Sequence, residues 1–267
     1  MGNLIGTMGI RQLTLLAAYL LTDGGISSRG KDSWAIYFRN KDKNVIESFQ
    51  KQLLSCSGSI GYITKRSDGT DFVRFHSTDL ANKLFKLSKS YRTKACENFP
   101  KCRHLSNKTS SCKLFGTIMI DGIEYPMARI PINVFRSKKL AIDFLRIYAS
   151  CDGGVSVVPA KNKNNSMFLV RKVFISVKHP TLNTQITELL KFLGYNPSQY
   201  VDQVRLVKKE DIVKFSKDIC FINGSKISND SKYLSGYEKN FILKKIVKSY
   251  HNPKVLLDFL HESRSSS

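Results

Sequence analysis

Leu16-Ala17-Ala18-Tyr19-Leu20-Leu21-Thr22-Asp23-Gly24 and Leu145-Arg146-Ile147-Tyr148-Ala149-Ser150-Cys151-Asp152-Gly153 are two versions of one pattern. Each is an apolar, helix-forming run that stops at Asp-Gly, and each is followed by a second glycine and a strand-like segment beginning at Ile26 or Val155. One acid at the end of each of two similar helices predicts a pair of carboxylates meeting on a pseudo-two-fold axis. Two like charges held close repel and need a cation, which suits a divalent metal with oxygen ligands. In a very basic chain, that combination points to cleavage of a nucleic acid.

Both halves repeat the same order of elements outward from these runs. In the first, Leu13, Leu16, Ala17, Leu20 and Leu21 make a helical stripe that Gly24-Gly25 ends. Ile26–Lys31 and Trp34–Arg39 read as strands, the second with Trp34, Ile36 and Phe38 on one face and Tyr37 and Arg39 on the other. Val45–Leu54 reads as an amphipathic helix. Ile60–Thr64 and Phe72–His76 read as a hairpin across Ser67-Asp68-Gly69, and Asp79–Leu87 as a helix capped by Ser77, Thr78 or Asp79. In the second half, a helix through Ala141, Phe144, Leu145 and Tyr148 precedes strands at Val155–Val158 and Val170–Lys178. A helix at Leu182–Leu193 ends at Gly194, a strand follows at Val201–Val207 with a poorly marked partner, and a helix at Lys209–Phe215. Tyr237–Tyr250 adds an amphipathic helix and Leu256–Leu260 one last turn. Residues 96–138 fit neither repeat; there, Leu114–Ile120 and Glu124–Ile130 read as two strands around Asp121-Gly122.

Lys and Arg number 43 against 21 Asp and Glu, a formal net charge of +22. Such an excess repels itself unless a polyanion offsets it, and nucleic acid is the polyanion expected. An anionic membrane is the alternative, but no basic amphipathic helix is available to engage it. The basic residues are scattered without a long like-charged block, so folded surfaces carry the charge. With 42% hydrophobic residues, the chain has the composition of a packed protein. Leu13–Leu21 is too short to span a bilayer and runs into Thr-Asp-Gly-Gly with no cleavage site; Gly6 stands where N-myristoylation needs Ser or Thr. The expected location is intracellular: cytoplasmic, or organellar in a eukaryotic host.

With these residues in view, the chain resembles a single-chain LAGLIDADG homing endonuclease over everything outside 96–138. Asp23 and Asp152 fall on the motif's metal-binding acid, and Gly24 and Gly153 on its closing glycine, so the resemblance assigns the metal site to Asp23, Gly24, Asp152 and Gly153. The first motif has Ala18 where glycine is usual; the second has Arg146 and Ile147 at its second and third positions. Two unrelated core helices ending in Asp-Gly turns would explain neither the repeated element order nor the charge. The resemblance implies an α+β fold of two pseudo-symmetric αββαββα half-domains with antiparallel, saddle-shaped sheets, at 1–95 and 139–267, with 96–138 as linker or insertion. It implies a monomer that cuts double-stranded DNA at a long asymmetric site, using Mg²⁺ (or Mn²⁺) at Asp23 and Asp152 and leaving short 3′ overhangs. The motif helices would pack closely through Ala17, Ala18, Ala149 and Ser150. Lys94 in the first half and Lys226, or Lys232, in the second stand where the family carries a phosphate-stabilising lysine. Asn40 and Lys178, at the ends of the second strands, stand where it places a residue that orients catalytic water.

The resemblance also assigns DNA recognition to the strand faces opposite the core, lying in the major groove. The candidates are Arg29, Lys31, Tyr37, Arg39, Lys65, Arg74 and His76 in the first half, and Lys161, Lys172, Ser176, Lys178, Gln203 and Arg205 in the second. The competing function is a non-cleaving binder of the same fold, an intron maturase or a regulator. Retention of both acids favours the enzyme, and an intron-encoded or free-standing gene is the expected source. Six cysteines are too few for a disulfide scaffold, and Cys56, Cys151 and Cys220 read as buried thiols. Cys96, Cys102, His104 and Cys112 could hold a structural zinc, but their spacing lacks the usual knuckle; a disulfide and plain free thiols are the alternatives.

Overall fold

The two Asp-Gly runs lie on helix α1 (Ile5–Leu20) and helix α5 (Lys138–Asp152), which pack along each other at the centre of the molecule. The computed structural model describes residues 5–30, 33–98, 111–161, 165, 167–228 and 234–265. After α1 come β1 (Gly24–Gly30), β2 (Ser33–Asn40), α2 (Lys43–Ser57), β3 (Tyr62–Lys65), β4 (Asp71–His76) and α3 (Thr78–Leu87). A short helix α4 (Ser111–Phe115) and a hairpin of β5 (Thr117–Ile120) and β6 (Ile123–Pro126) lead to α5. Then follow β7 (Gly153–Lys161), β8 (Met167–Ser176), α6 (Pro180–Phe192), β9 (Ser198–Gln199), β10 (Gln203–Leu206), α7 (Lys209–Asp218), α8 (Lys239–Lys248) and α9 (Lys254–Ser265). The helices carry no stretch long and apolar enough to cross a membrane among the described residues.

Local chemistry explains these boundaries. Asp42 caps α2 by accepting the Asn44 N–H, and Gly58, at φ 71°, ends it in the left-handed conformation. Ser77 and Ser137 cap α3 and α5 in the same way. Asp121 (φ 49°) and Gly122 (φ 76°) give the β5–β6 hairpin the two positive φ values of a two-residue turn. The sequence places Leu114 in a strand, but α4 takes it and Gly116, at φ 80°, ends that helix. The strand expected at Val201–Val207 shrinks to four residues, paired to a two-residue β9 through a turn in which the Tyr200 N–H donates to the Gln203 carbonyl. The last turn expected at Leu256–Leu260 is a full helix of 12 residues.

The repeat is exact at the level of topology. Each half has one antiparallel four-stranded sheet, in the order β1-β2-β4-β3 and β7-β8-β10-β9. One face of each sheet is covered by its helices; Trp34, Ile36, Phe38 and Val73 fill that face in the first half, and Val155, Val173, Ile175 and Val204 in the second. The other face is open. One continuous core runs through both halves, with Leu16, Ala17, Ala18, Leu145 and Ala149 fully buried at the helix pair. The segment between the halves is bound into this core: Ala128, Ile130 and Val134 are buried, His179 meets the Pro126 carbonyl at 2.7 Å, and Asn133 donates to Thr14 at 2.7 Å.

Candidate active site

Asp23 sits in the turn that follows α1, and Asp152 is the last residue of α5. The α1 end is fastened by the Thr22 hydroxyl, which donates to the Tyr19 carbonyl at 2.8 Å, and by the Arg39 N–H, which donates to the Asp23 carbonyl at 3.2 Å. Asn40 Nδ2 donates to Asp23 Oδ2 at 2.8 Å. Both acids are half-buried. Burial pushes the Asp23 carboxyl up to about 6 against the opposing pull of Asn40, Arg39 and Lys239. Burial, and then the neighbouring charge of Asp23, push Asp152 well above the usual carboxylate range, with Lys239 opposing. The packing of α1 on α5 thus brings together two acids whose ionisation is disfavoured, by burial in both and by the neighbouring charge at Asp152.

The glycines after each acid answer a packing demand. A Cβ on Gly24 would stand 2.9 Å from the Leu20 Cα and from the Tyr37 carbonyl; on Gly153 it would stand 2.6 Å from the Ala149 carbonyl and 2.7 Å from that of Phe174. The helix end and the second strand touch there, and only glycine fits between them. The second glycine makes room for a ring: a Cβ on Gly25 would meet Tyr37 Oη at 2.5 Å, and on Gly154 the Phe174 ring at 3.1 Å. The carbonyl of Gly153 is engaged by Lys239 Nζ at 2.7 Å.

Register fixes which residues correspond between the halves. Gly24 pairs with Phe38, and Gly153 with Ile175. Tyr37 therefore matches Phe174, Arg74 matches Arg205, and Phe72 matches Gln203. By the same count Asn40 matches Val177, a buried core residue, and not Lys178. Lys178 lies beyond β8, exposed, and a one-residue offset in an extended chain turns it to the opposite face.

Two clefts flank the acids. The first, about 380 Å³, is lined by Asp23, Tyr37, Arg39, Arg66, Phe72, Arg74 and Lys94 among others. The second, about 960 Å³, is lined by Asn40, Asp152, Ser156, Lys172, Phe174, Ser176, Gln203, Lys226 and Lys239 among others. Each cleft thus holds one acid, one of the expected lysines and the open face of one sheet. Arg205 lies on the second open face, with its guanidinium 3.9 Å from the Tyr200 ring centroid. His76 is exposed on the first. Lys65 pairs with Asp71 on the helix-covered side, exposed at the sheet edge, and Lys161 is exposed at the far end of β7. Lys31 and Lys232 lie outside the described residues, as does the side chain of Arg29. The sequence reading missed Arg66, Phe72, Phe174 and Tyr200. Arg66 and Arg74 flank the Phe72 ring at 4.7 and 5.0 Å, and Tyr37 stacks beside it at 5.9 Å. Aromatic spacing alone reads as core, so the signal lay only in the alternation of Phe72 with Val73 and Arg74.

Lys239 is the other residue missed, because nothing in a lysine at the start of an amphipathic helix marks it as buried. It is 5% exposed, and its Nζ donates to the Ser150 and Gly153 carbonyls at 2.6 and 2.7 Å. Burial pulls its ammonium down, and Cys151, Asp42 and the two acids hold it up.

The donor set at the acids is all oxygen: two carboxylates short of compensating charge, beside backbone carbonyls. Such a set fits a hard divalent cation, with water and phosphate completing the shell. No third His, Cys, Asp or Glu side chain joins them among the described residues. Of the zinc candidates, Cys102 and His104 lie outside the described residues, Cys96 is buried and Cys112 half-buried. Cys56, Cys151 and Cys220, expected to be buried, are half-buried free thiols.

No family model and no curated protein matches the sequence. Solved structures do. The chain is similar to I-SmaMI bound to an uncleaved DNA target in the presence of calcium ions (14% identity, TM-score 0.53, covering 95% of this chain and 96% of that one). It is similar to the LAGLIDADG meganuclease I-AabMI bound to uncleaved DNA (14%, 0.54, 95% and 96%). A third is the LAGLIDADG meganuclease I-CpaMI, also bound to uncleaved DNA (14%, 0.52, 95% and 98%). The two-fold repeated sheet-and-helix architecture, with its paired Asp-bearing helices, is the fold of the single-chain LAGLIDADG homing endonucleases.

Proposed function

We propose that the chain is a site-specific endonuclease for double-stranded DNA that uses Mg²⁺ or Mn²⁺, cuts both strands and leaves short 3′ overhangs. The observation that carries this reading is the meeting of Asp23 and Asp152 at the ends of α1 and α5, between two basic clefts. A binder has no use for two buried acids, one raising the proton affinity of the other. The DNA bound by the similar meganucleases supports the same reading.

Asp23 and Asp152 would hold the metal ions. A divalent cation in such a site lowers the pKa of a bound water and stabilises charge on the phosphate and the leaving oxygen. The remaining chemistry belongs to the chain. Asn40 fixes the Asp23 carboxylate through one hydrogen bond. Arg39 and Lys94 in the first cleft, and Lys172 and Lys226 in the second, supply positive charge to a phosphate entering beside each acid. Residues 1–95 and 139–267 would each read one half of a long asymmetric site, because their open faces differ: Tyr37 and Phe72 in one stand where Phe174 and Gln203 stand in the other. With both acids on one chain, a monomer suffices.

The test is incubation with Mg²⁺ and DNA reconstituted across the boundary at which the chain's own gene is inserted, as for an intron-encoded enzyme. A double-strand break lost in both Asp23→Asn and Asp152→Asn is expected. Tight binding without cutting in Mg²⁺, Mn²⁺ or Ca²⁺ would instead make the chain a non-cleaving binder of the same fold.

A further inference from the structure

The two acids are held by different devices. Asp23 is fixed on its carboxylate by Asn40, whose counterpart in the second half is the core residue Val177. At Asp152 the fixing is on the backbone. Lys239 Nζ donates to the carbonyls of Ser150 and Gly153, which bracket Cys151 and Asp152. The corresponding carbonyls of the first half, those of Leu21 and Gly24, receive no side-chain donor among the described residues.

Lys239 also ties this helix end to the loop that carries Lys226. Its backbone N–H donates to the Ser225 carbonyl at 2.8 Å, and Lys226 forms an isolated bridge with Glu238 next to it. The Ser150 hydroxyl accepts the Ile222 N–H at 2.7 Å. From the other side, the first half grips the same loop. Asp42 accepts the Lys226 N–H through Oδ2, and Asn44 Nδ2 donates to the Gly224 carbonyl at 2.9 Å. An ammonium that is 5% exposed, with two of its protons committed to a helix end, is a fixed strut between Asp152 and Lys226.

We infer that Lys239 is the positioning residue of the Asp152 half-site, and that Asn40 is its functional counterpart for Asp23, so that either cut can be disabled without the other. This rests on the endonuclease reading above, taken with one acid serving each strand.

The experiment uses the full chain and the junction DNA described above, with a different dye on each strand. Asp23→Asn and Asp152→Asn first assign each acid to a strand. Lys239→Met keeps the length of the side chain but not its donors. It is expected to slow the Asp152 strand by roughly a hundredfold, as a misplacement of about 1 Å does. The other strand should stay within about twofold of wild type, so that nicked duplex accumulates at unchanged DNA affinity. Lys239→Arg, which retains donors, should restore part of the lost rate, and Asn40→Leu should give the mirror-image nick. Equal slowing of both strands, or of neither, by Lys239→Met would overturn the inference. If Lys239→Met fails to show a cooperative melt, Lys239→Arg and Asn40→Leu decide, and slowing of the same strand by both would overturn it equally. If Asp152→Asn cuts both strands normally, it is the paired-acid endonuclease reading that fails.

Discussion

Replacing Asp23 by Asn should stabilise the metal-free protein at neutral pH. The structure holds the Asp23 carboxyl at about 6, raised by burial from an ordinary 3.8. A folded-state value above the unfolded one means that the folded state prefers the proton, so ionisation costs stability above about pH 6 and costs nothing below 3.8. The difference of about two units corresponds to up to about 3 kcal/mol at pH 8, falling to about 1.5 at pH 5 and about 0.5 at pH 4. Asparagine has the shape of the protonated acid and its Oδ1 still accepts from Asn40, so the variant escapes this cost. For a chain of this size, 3 kcal/mol is roughly a 6 °C rise in Tm. The assay is thermal unfolding of wild type and Asp23→Asn in EDTA from pH 4 to 8. The gap between them should open as pH rises from 4 to 7, and added Mg²⁺ or Ca²⁺ should narrow it by raising the wild type alone. A variant that melts below wild type at pH 8, or a gap independent of pH, would refute the claim that burial strains this carboxylate.

Gly153→Ala should cost about 3 kcal/mol by urea unfolding, because both obstructing atoms are backbone carbonyls that cannot yield, whereas Gly154→Ala should cost distinctly less because the Phe174 ring can swing. Asp42→Ala removes the α2 cap and the anchor of the Lys226 loop together, so a loss of about 1 kcal/mol in stability should come with slower cutting of the Asp152 strand. Arg74→Ala should weaken binding to specific and unrelated DNA alike if it meets phosphate, lowering the slope of log K against log salt by about 1; if it reads a guanine, specificity at a single base pair should relax instead.

The repeat in the sequence carried the fold because it is written in residues with narrow physical roles. Asp-Gly-Gly demands a helix end pressed on a strand, and its second occurrence announces a second copy of the same packing. Apolar alternation in Trp34–Phe38 and the Asp121-Gly122 turn were equally direct. Strand Val201–Val207 was misjudged in extent because the ladder ends at Gln203, and Val201 is 94% exposed at the loop tip. The site was legible where it lies on the motif and illegible where it depends on long-range contact. Asn40 was singled out from its place at a strand end, and its amide meets the Asp23 carboxylate; Lys178 was misplaced because equivalence between halves is set by register, and no residue count supplies register when strand lengths differ. Lys239 was missed because it follows the last helix of the repeat, and only the folded chain brings it under Asp152.

That last point bears on why the two halves diverge. A strict repeat would place an Asn40 equivalent at 177, yet valine stands there and contributes to the core. The second acid then needs another support, and α8, which has no counterpart in the first half among the described residues, supplies it through Lys239. A lysine so placed does not neutralise the pair. Its charge is one beside two carboxyls, with Arg39 also pulling on Asp23, and its hydrogen bonds run to carbonyls, so both acids stay reluctant to ionise inside a chain of net +22. Under the proposed function the basic clefts would draw DNA toward two acids that repel its phosphates when ionised. On the same reading a cation arriving with the DNA would reconcile the two, and metal and DNA binding are then expected to be thermodynamically coupled at this site.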